Sequence, residues 1–170
     1  LNETGGTIAD VSGNNNNGSL INGPTYTTGK VNQAISVDGV SQYVSVADSA
    51  SLDLGSTGGV SLWFKRSQNG GSWKAIFAKG PASDFNQNYS CEFSPTNQIL
   101  CAASNGSVPT WDGVQSPASY TDTTNFHHLV FTWQLGTNGL KLYIDNVLVA
   151  QKDLPVTPSG NTSPFSIGSG

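Results

Sequence analysis

The apolar positions of this chain fall in short runs at 37–46, 60–64, 73–78, 129–135, 140–144 and 147–150. Each is rich in β-branched or aromatic residues, and Gly, Asn, Asp, Ser and Pro separate them. That punctuation predicts β-strands. No window places apolar residues at i, i+3, i+4 and i+7 without a Gly or Pro breaking it, so helices are not expected. In the run 126–133 the set His127, Leu129, Phe131 and Trp133 is bulkier than Phe126, His128, Val130 and Thr132, yet neither set is strongly hydrophilic. Such a strand is expected to be covered on both faces.

Two turns define hairpins. Thr137-Asn138-Gly139 joins the run ending at Leu135 to the one beginning at Leu140, and Asn-Gly adopts the positive φ values of a tight turn. Asp145-Asn146 separates the next two runs in the same way. Residues 126–151 therefore read as a three-stranded meander. Short strands without helical crossovers predict an all-β fold, an antiparallel two-sheet jelly-roll sandwich, and the length of 170 residues fits one domain.

Charge changes this picture mainly by its scarcity. Charged residues are 11% of the chain, with 7 Lys plus Arg against 11 Asp plus Glu and a net charge of -4. Ser, Thr, Asn and Gly supply the polarity instead. The single Arg, Arg66, and the acidic balance exclude a phosphate-gripping basic surface, so no nucleic-acid partner is expected. The apolar runs fall far short of the roughly 20 residues a membrane-spanning helix needs, so membrane insertion is not expected either. The start at Leu1 and the Ser-Gly end suggest a processed or excised piece of a longer protein.

Cys91 and Cys101 flank a segment whose Ser94-Pro95-Thr96-Asn97 centre reads as a hairpin turn. Folding about that centre sets the sulfurs opposite each other, as a cross-strand disulfide requires. The alternative is two buried thiols in a reducing compartment.

Several segments in order carry a resemblance. They are the opening Leu-Asn-Glu with Gly5 and Gly6, the tight Asp10-x-Ser12-Gly13-Asn14 loop, and the Val37-Asp38-Gly39 turn before Tyr43-Val44. The paired histidines after an aromatic, the Leu-Tyr-Ile-Asp hairpin and the final Phe-Ser-Ile-Gly follow. Together they resemble the laminin G-like domain of the concanavalin A-like superfamily, over most of the chain. Three positions depart from that pattern. Asp145-Asn146 replaces the usual Asp-Gly, and Gln42 stands where an aspartate often precedes Tyr43. The chain also stops at Gly170 before the usual closing strand, which implies an open sheet edge or a strand supplied by another chain or domain.

The resemblance implies an extracellular recognition or adhesion module, secreted, at a cell surface or on the outside of a virion. Such a module binds glycan or protein through rim loops. It also implies one structural calcium ion, for which Asp10, Asn14 and Asp38, with Ser12 and Asn16, offer oxygen ligands. Asn-rich loops whose side chains bond their own backbone are the alternative. The superfamily includes glucanases, but no two acidic residues stand two or four apart, as a carboxylate pair on one strand face demands. The only glutamates are Glu3 and Glu92, and the closest acidic pair is Asp48 and Asp53. A polysaccharide hydrolase is thus the third reading, after a structural subunit of a filament, capsid or surface assembly. His127 and His128, as strand neighbours, point to opposite faces and cannot chelate one ion together.

Candidate ligand contacts are Trp111 with Asp112 in the 109–117 loop, Trp73 beside Asn69 and Lys74, and the 84–89 segment with Phe85, Asn86, Asn88 and Tyr89. The alternative for each is a hydrophobic lid over the sandwich. Trp63 and Trp133 lie mid-strand and are assigned to the core. Asn-x-Ser/Thr sequons occur at Asn2, Asn17, Asn88, Asn105 and Asn161.

Overall fold

The computed structural model describes residues 5–80, 87–105 and 111–169, with the backbone alone for Trp111. Strands dominate these residues. In chain order they are β1 (Thr7–Ile8), β2 (Gly18–Ile21), β3 (Thr25–Thr28), β4 (Gln33–Ser36), β5 (Tyr43–Val46), β6 (Thr57–Phe64) and β7 (Lys74–Lys79). They continue as β8 (Tyr89–Phe93), β9 (Ile99–Ser104), β10 (Trp111–Gln115), β11 (His127–Gln134), β12 (Gly136–Ile144), β13 (Val147–Leu154) and β14 (Phe165–Ile167). A single 3-10 turn, Ala50–Leu52, is the helical content of the described residues.

An eight-stranded sheet runs β1-β2-β5-β14-β7-β8-β9-β10, a four-stranded sheet runs β13-β12-β11-β6, and β3-β4 form a separate hairpin. The pairings are antiparallel, so the expected jelly-roll sandwich is the fold. The meander is β11-β12-β13. Its second turn works as the sequence implies: Asp145 and Asn146 both take positive φ, 51° and 67°, which matches the twist of a two-residue hairpin.

The core lies between the sheets. Phe77, Cys91, Ile99 and Cys101 from the larger sheet meet Leu129, Phe131, Trp133, Leu140 and Leu142 from the smaller one, all at 0–1% exposure. Each such large side chain contributes about 1.5–3 kcal/mol on burial. Trp133 packs flat against β6, where Gly58 is its register partner. A Cβ at Gly58 would run into the indole ring, so only glycine lets the ring lie against that strand. Cys91 and Cys101 are direct cross-strand partners and form the disulfide. In the chain-entropy account a loop this short stabilises by about 2.5 kcal/mol.

The strand expected over 37–46 begins only at Tyr43. Asp38 ends the extended run, because its Oδ1 accepts the backbone N–H groups of Val40, Ser41 and Gln42 at 2.9 Å each. The final strand, β14, is not at an edge: it lies between β5 and β7 and pairs with both. Among the described residues the edges of the sandwich are β1 and β10, β6 and β13. The last of these exposes Gln151, Lys152 and Asp153, and charge on an edge strand discourages pairing with another chain.

The segment before β14 is held by a buried lysine. Lys79, at 0% exposure, donates from Nζ to Asp48 Oδ1 at 2.7 Å, the Asn161 carbonyl at 2.8 Å and the Ser163 carbonyl at 2.8 Å. Asp53 Oδ1 stands 3.1 Å away. Three short bonds account for the three protons of an ammonium group.

Candidate functional site

The alternation of β6 decides which of its side chains face outward on the smaller sheet. Val60, Leu62 and Phe64 face the core, so Ser61 and Trp63 face outward. Trp63 is 43% exposed, and the expectation of a core position for it is corrected. The two-residue period within 60–64 already separates Trp63 from its inward neighbours. The outer face of β11 is likewise only half-buried rather than covered, whereas Leu129, Phe131 and Trp133 fill the core as expected.

Register then assembles an aromatic platform on that outer face. Trp63 pairs with His128, and their rings stack at 4.8 Å between centroids and 27° between planes. The imidazole is fixed by a 2.9 Å hydrogen bond between His128 Nε2 and Ser61 Oγ. The β3-β4 hairpin carries Lys30 at its tip and brings Nζ to 5.0 Å from the Trp63 ring. Just past the end of β6, Lys65 Nζ lies 5.3 Å from the Phe126 ring. These are cation–π distances. At the far end of the same sheet a cleft of about 420 Å³ is lined by Thr57, Thr132, Asn138 and Lys141 among others.

His127 turns inward, as the strand period requires. Its Nδ1 lies 2.7 Å from Asp145 Oδ2, and its buried Nε2, which lacks a hydrogen-bond partner, is 3.6 Å from Asp122 Oδ2. The two imidazoles therefore do not share a ligand.

The residues singled out from sequence are scattered. Trp73 is exposed at 49%, while Asn69 donates to the Thr121 carbonyl at 2.9 Å. Asp112 lies on β10 rather than in a loop, is 9% exposed and pairs with Lys152 at 3.3 Å. Trp111 opens that strand, and its side chain, like Phe85 and Asn86, lies outside the described residues. Asn88 and Tyr89 are corrected from ligand contacts to interior groups. Asn88, fully buried, donates to the Leu54 and Ser159 carbonyls at 3.0 and 2.9 Å. Tyr89 stacks on Trp133 at 5.1 Å, and its hydroxyl donates to the Leu52 carbonyl at 3.1 Å. Burial, with the Asp53 charge second, pushes the phenol up to about 12.

The same geometry bears on the sequons. The Asn88 amide nitrogen is committed inside the folded domain and out of reach of a glycosylating enzyme. Asn17 is exposed, its Oδ1 accepting from the Asp10 N–H at 2.8 Å. Asn105 and Asn161 are half-buried and hydrogen-bonded, and Asn2 lies outside the described residues.

The residues offered for a calcium ion are hydrogen-bonded within their own loops. Asp10 Oδ1 accepts the Ser12 N–H, and Oδ2 accepts the Ser12 hydroxyl and the Asn16 N–H. The Ser12 hydroxyl first, then those N–H groups, hold this carboxyl below its ordinary range. Asp38 is lowered to about 2 by the Gln42 N–H first and then those of Val40 and Ser41. Asn14 is turned onto the Ser12 hydroxyl. These are the bonds of Asn-rich turns whose side chains cap their own backbone.

Carboxylates converge in two places among the described residues: Asp122 and Asp145 flank the His127 imidazole, and Asp48 and Asp53 both bind Lys79 Nζ. At Lys79 they neutralise a buried ammonium, so that pair serves packing. Glu92, half-buried on β8, has its carboxyl pushed up by burial. No second acid stands among its register partners, Ala75 and Leu100.

Comparison with known proteins places this geometry in context. A family model described as the concanavalin A-like lectin/glucanases superfamily matches residues 38–170. Domain 4 of AbnA, a GH43 extracellular arabinanase from Geobacillus stearothermophilus solved in complex with arabinotriose, is similar in structure with a TM-score of 0.73. It is 22% identical, over 95% of this chain and 78% of that one. The botulinum neurotoxin serotype G binding domain has a TM-score of 0.64 at 13% identity, over 95% of this chain and 43% of that one. The carbohydrate recognition domain of Emp47p has a TM-score of 0.52 at 14% identity, over 97% and 86%. No curated protein matches the sequence.

Proposed function

The chain belongs to the concanavalin A-like lectin/glucanase superfamily, and from that premise we propose that it is a non-catalytic extracellular module that binds glycan. The observation that carries this reading is the Trp63–His128 platform. The indole, 43% exposed with His128 stacked on it and Lys30 over its ring, offers its remaining apolar surface to the C–H side of a sugar, and Ser61, His128 and Lys30 are the hydrogen-bonding groups beside it. The Cys91–Cys101 disulfide supports a secreted or cell-surface location. The absence of a carboxylate pair free for acid–base work, among the described residues, supports binding without hydrolysis.

Isothermal titration with a panel of soluble polysaccharides tests the reading, starting from arabino-oligosaccharides because the AbnA domain was solved with arabinotriose. Binding in the micromolar to millimolar range is expected, about 4–8 kcal/mol. Trp63→Ala is expected to weaken it by about tenfold or more, about 1.4 kcal/mol. No binding across the panel, or binding indifferent to Trp63→Ala, overturns the assignment.

A further inference from the structure

We propose that the glycan bound at this platform is an anionic one, bearing carboxylate or sulfate groups. The inference rests on the glycan-binding reading and deepens it. Its ground is how an acidic protein distributes its few cations. The chain has 7 Lys plus Arg and a net charge of -4, yet Lys30 and Lys65 both stand at the aromatic end of one sheet face, and Lys141 lines the cleft at the other end.

Opposing charge on that face lies at the cleft end, where the register of β13 puts Asp153 on the same side as Lys141 and its Oδ1 accepts the Asn138 N–H; β6, β11 and β12 carry none. Register sets outward positions Gly59, Ser61 and Trp63 on β6, His128, Val130 and Thr132 on β11, and Lys141 and Tyr143 on β12, with Lys65 and Phe126 just past the ends of β6 and β11. None is acidic. The nearest carboxylate, Asp145, is already committed, with Oδ1 accepting the His128 N–H and Oδ2 facing His127 Nδ1. Three of the other cations differ, and the fourth, Lys74, stands on β7 of the larger sheet, away from this face. Lys79 is buried among carboxylates, Lys152 pairs with Asp112, and Arg66 lies over Phe93 at 4.1 Å while donating to Asn97 and Tyr120. No ion pair among the described residues involves Lys30, Lys65 or Lys141.

Lys65 follows Trp63 by two residues, a reach of about 7 Å in extended chain, so the ammonium group and the Trp63 ring are neighbours on the scale of adjacent sugar units. A neutral glycan uses the ring and leaves the ammonium groups to water. A polyanion uses both, placing a ring against Trp63 and its charged groups beside Lys30 and Lys65.

The test is titration of the protein with three polymers, polygalacturonate, a sulfated heparin-type polysaccharide and neutral arabinan, each at about 20 and about 300 mM salt. At least one acidic polymer is expected to bind about tenfold or more tighter than arabinan at low salt, and to lose most of that advantage at high salt. Binding of polygalacturonate identifies carboxylate as sufficient, and binding of the heparin-type polymer without polygalacturonate identifies sulfate as required. Lys30→Ala/Lys65→Ala, two exposed positions whose folding is checked by thermal melting, is expected to remove the preference, whereas Trp63→Ala weakens every polymer that binds. Equal, Trp63-dependent binding of neutral and acidic polymers overturns this inference and leaves the glycan reading standing. So does acidic binding that is indifferent to the double lysine variant. Absence of binding by all three polymers overturns both.

Discussion

Replacing Lys79 by Met keeps the length of the side chain and removes its charge. The aliphatic stem still fills its space, so the loss isolates the ammonium group. Three acceptors, Asp48 Oδ1, the Asn161 carbonyl and the Ser163 carbonyl, lose donors at 2.7–2.8 Å. Removing one partner of a buried ion pair costs about 3–5 kcal/mol. The side chains of Asp48 and Asp53 are 36% and 30% exposed, so both rehydrate in part, and the lower figure of about 3 kcal/mol is expected. For a domain of this size that is a fall in Tm of roughly 6–12 °C, readable by calorimetry or circular dichroism. Converting Asp48→Asn and Asp53→Asn in the Lys79→Met background is expected to recover part of the loss, since two carboxylates no longer face each other without a cation. A Lys79→Met protein melting within about 2 °C of the parent, or a triple variant melting no higher than Lys79→Met, refutes the assignment of Lys79 as a structural clamp.

Two further predictions concern the core and the loops. Gly58→Ala is expected to cost about 1–3 kcal/mol in urea unfolding, because its Cβ and the Trp133 ring compete for one space; an unchanged midpoint shows that the ring moves freely. For pH, Asp38 has a folded value of about 2 against an ordinary 3.8. Its contribution is therefore present above the ordinary value and lost as pH falls from about 4 toward 2. Asp10 and Asp122 are lowered too and act in the same direction, whereas Glu92, raised by burial, favours folding at low pH and loses that contribution as pH rises. Melting temperature should drop across this acid window, and less steeply in Asp38→Ala; parallel curves for the two proteins would remove Asp38 from the explanation.

Much of the fold was legible because it rests on local signals. Asp145-Asn146 announced a tight turn, the Ser94–Asn97 centre set the two cysteines opposite each other, and alternation separated Leu129, Phe131 and Trp133 from their neighbours. The platform was legible in principle, since Val60, Leu62 and Phe64 share a parity that Trp63 lacks; strand strength was weighed there where face mattered. Other features have no local signature. Asn88 and Tyr89 look like rim residues until the Leu52, Leu54 and Ser159 carbonyls arrive from distant segments. Lys79 reads as a solvated strand end until residues 48, 53, 161 and 163 close around it. The placement of Lys30 over Trp63 depends on where a separate hairpin docks, which neither segment encodes alone.

The position of β14 has a consequence for biogenesis. Within the larger sheet, β1, β2 and β5 are joined to β7 only through residues 165–167. A nascent chain emerging from the ribosome can form its hairpins early, but the two halves of this sheet remain unconnected until that late tripeptide has been synthesised and threaded between them. Clipping at this point would leave a seam down the middle of the sheet rather than a frayed margin.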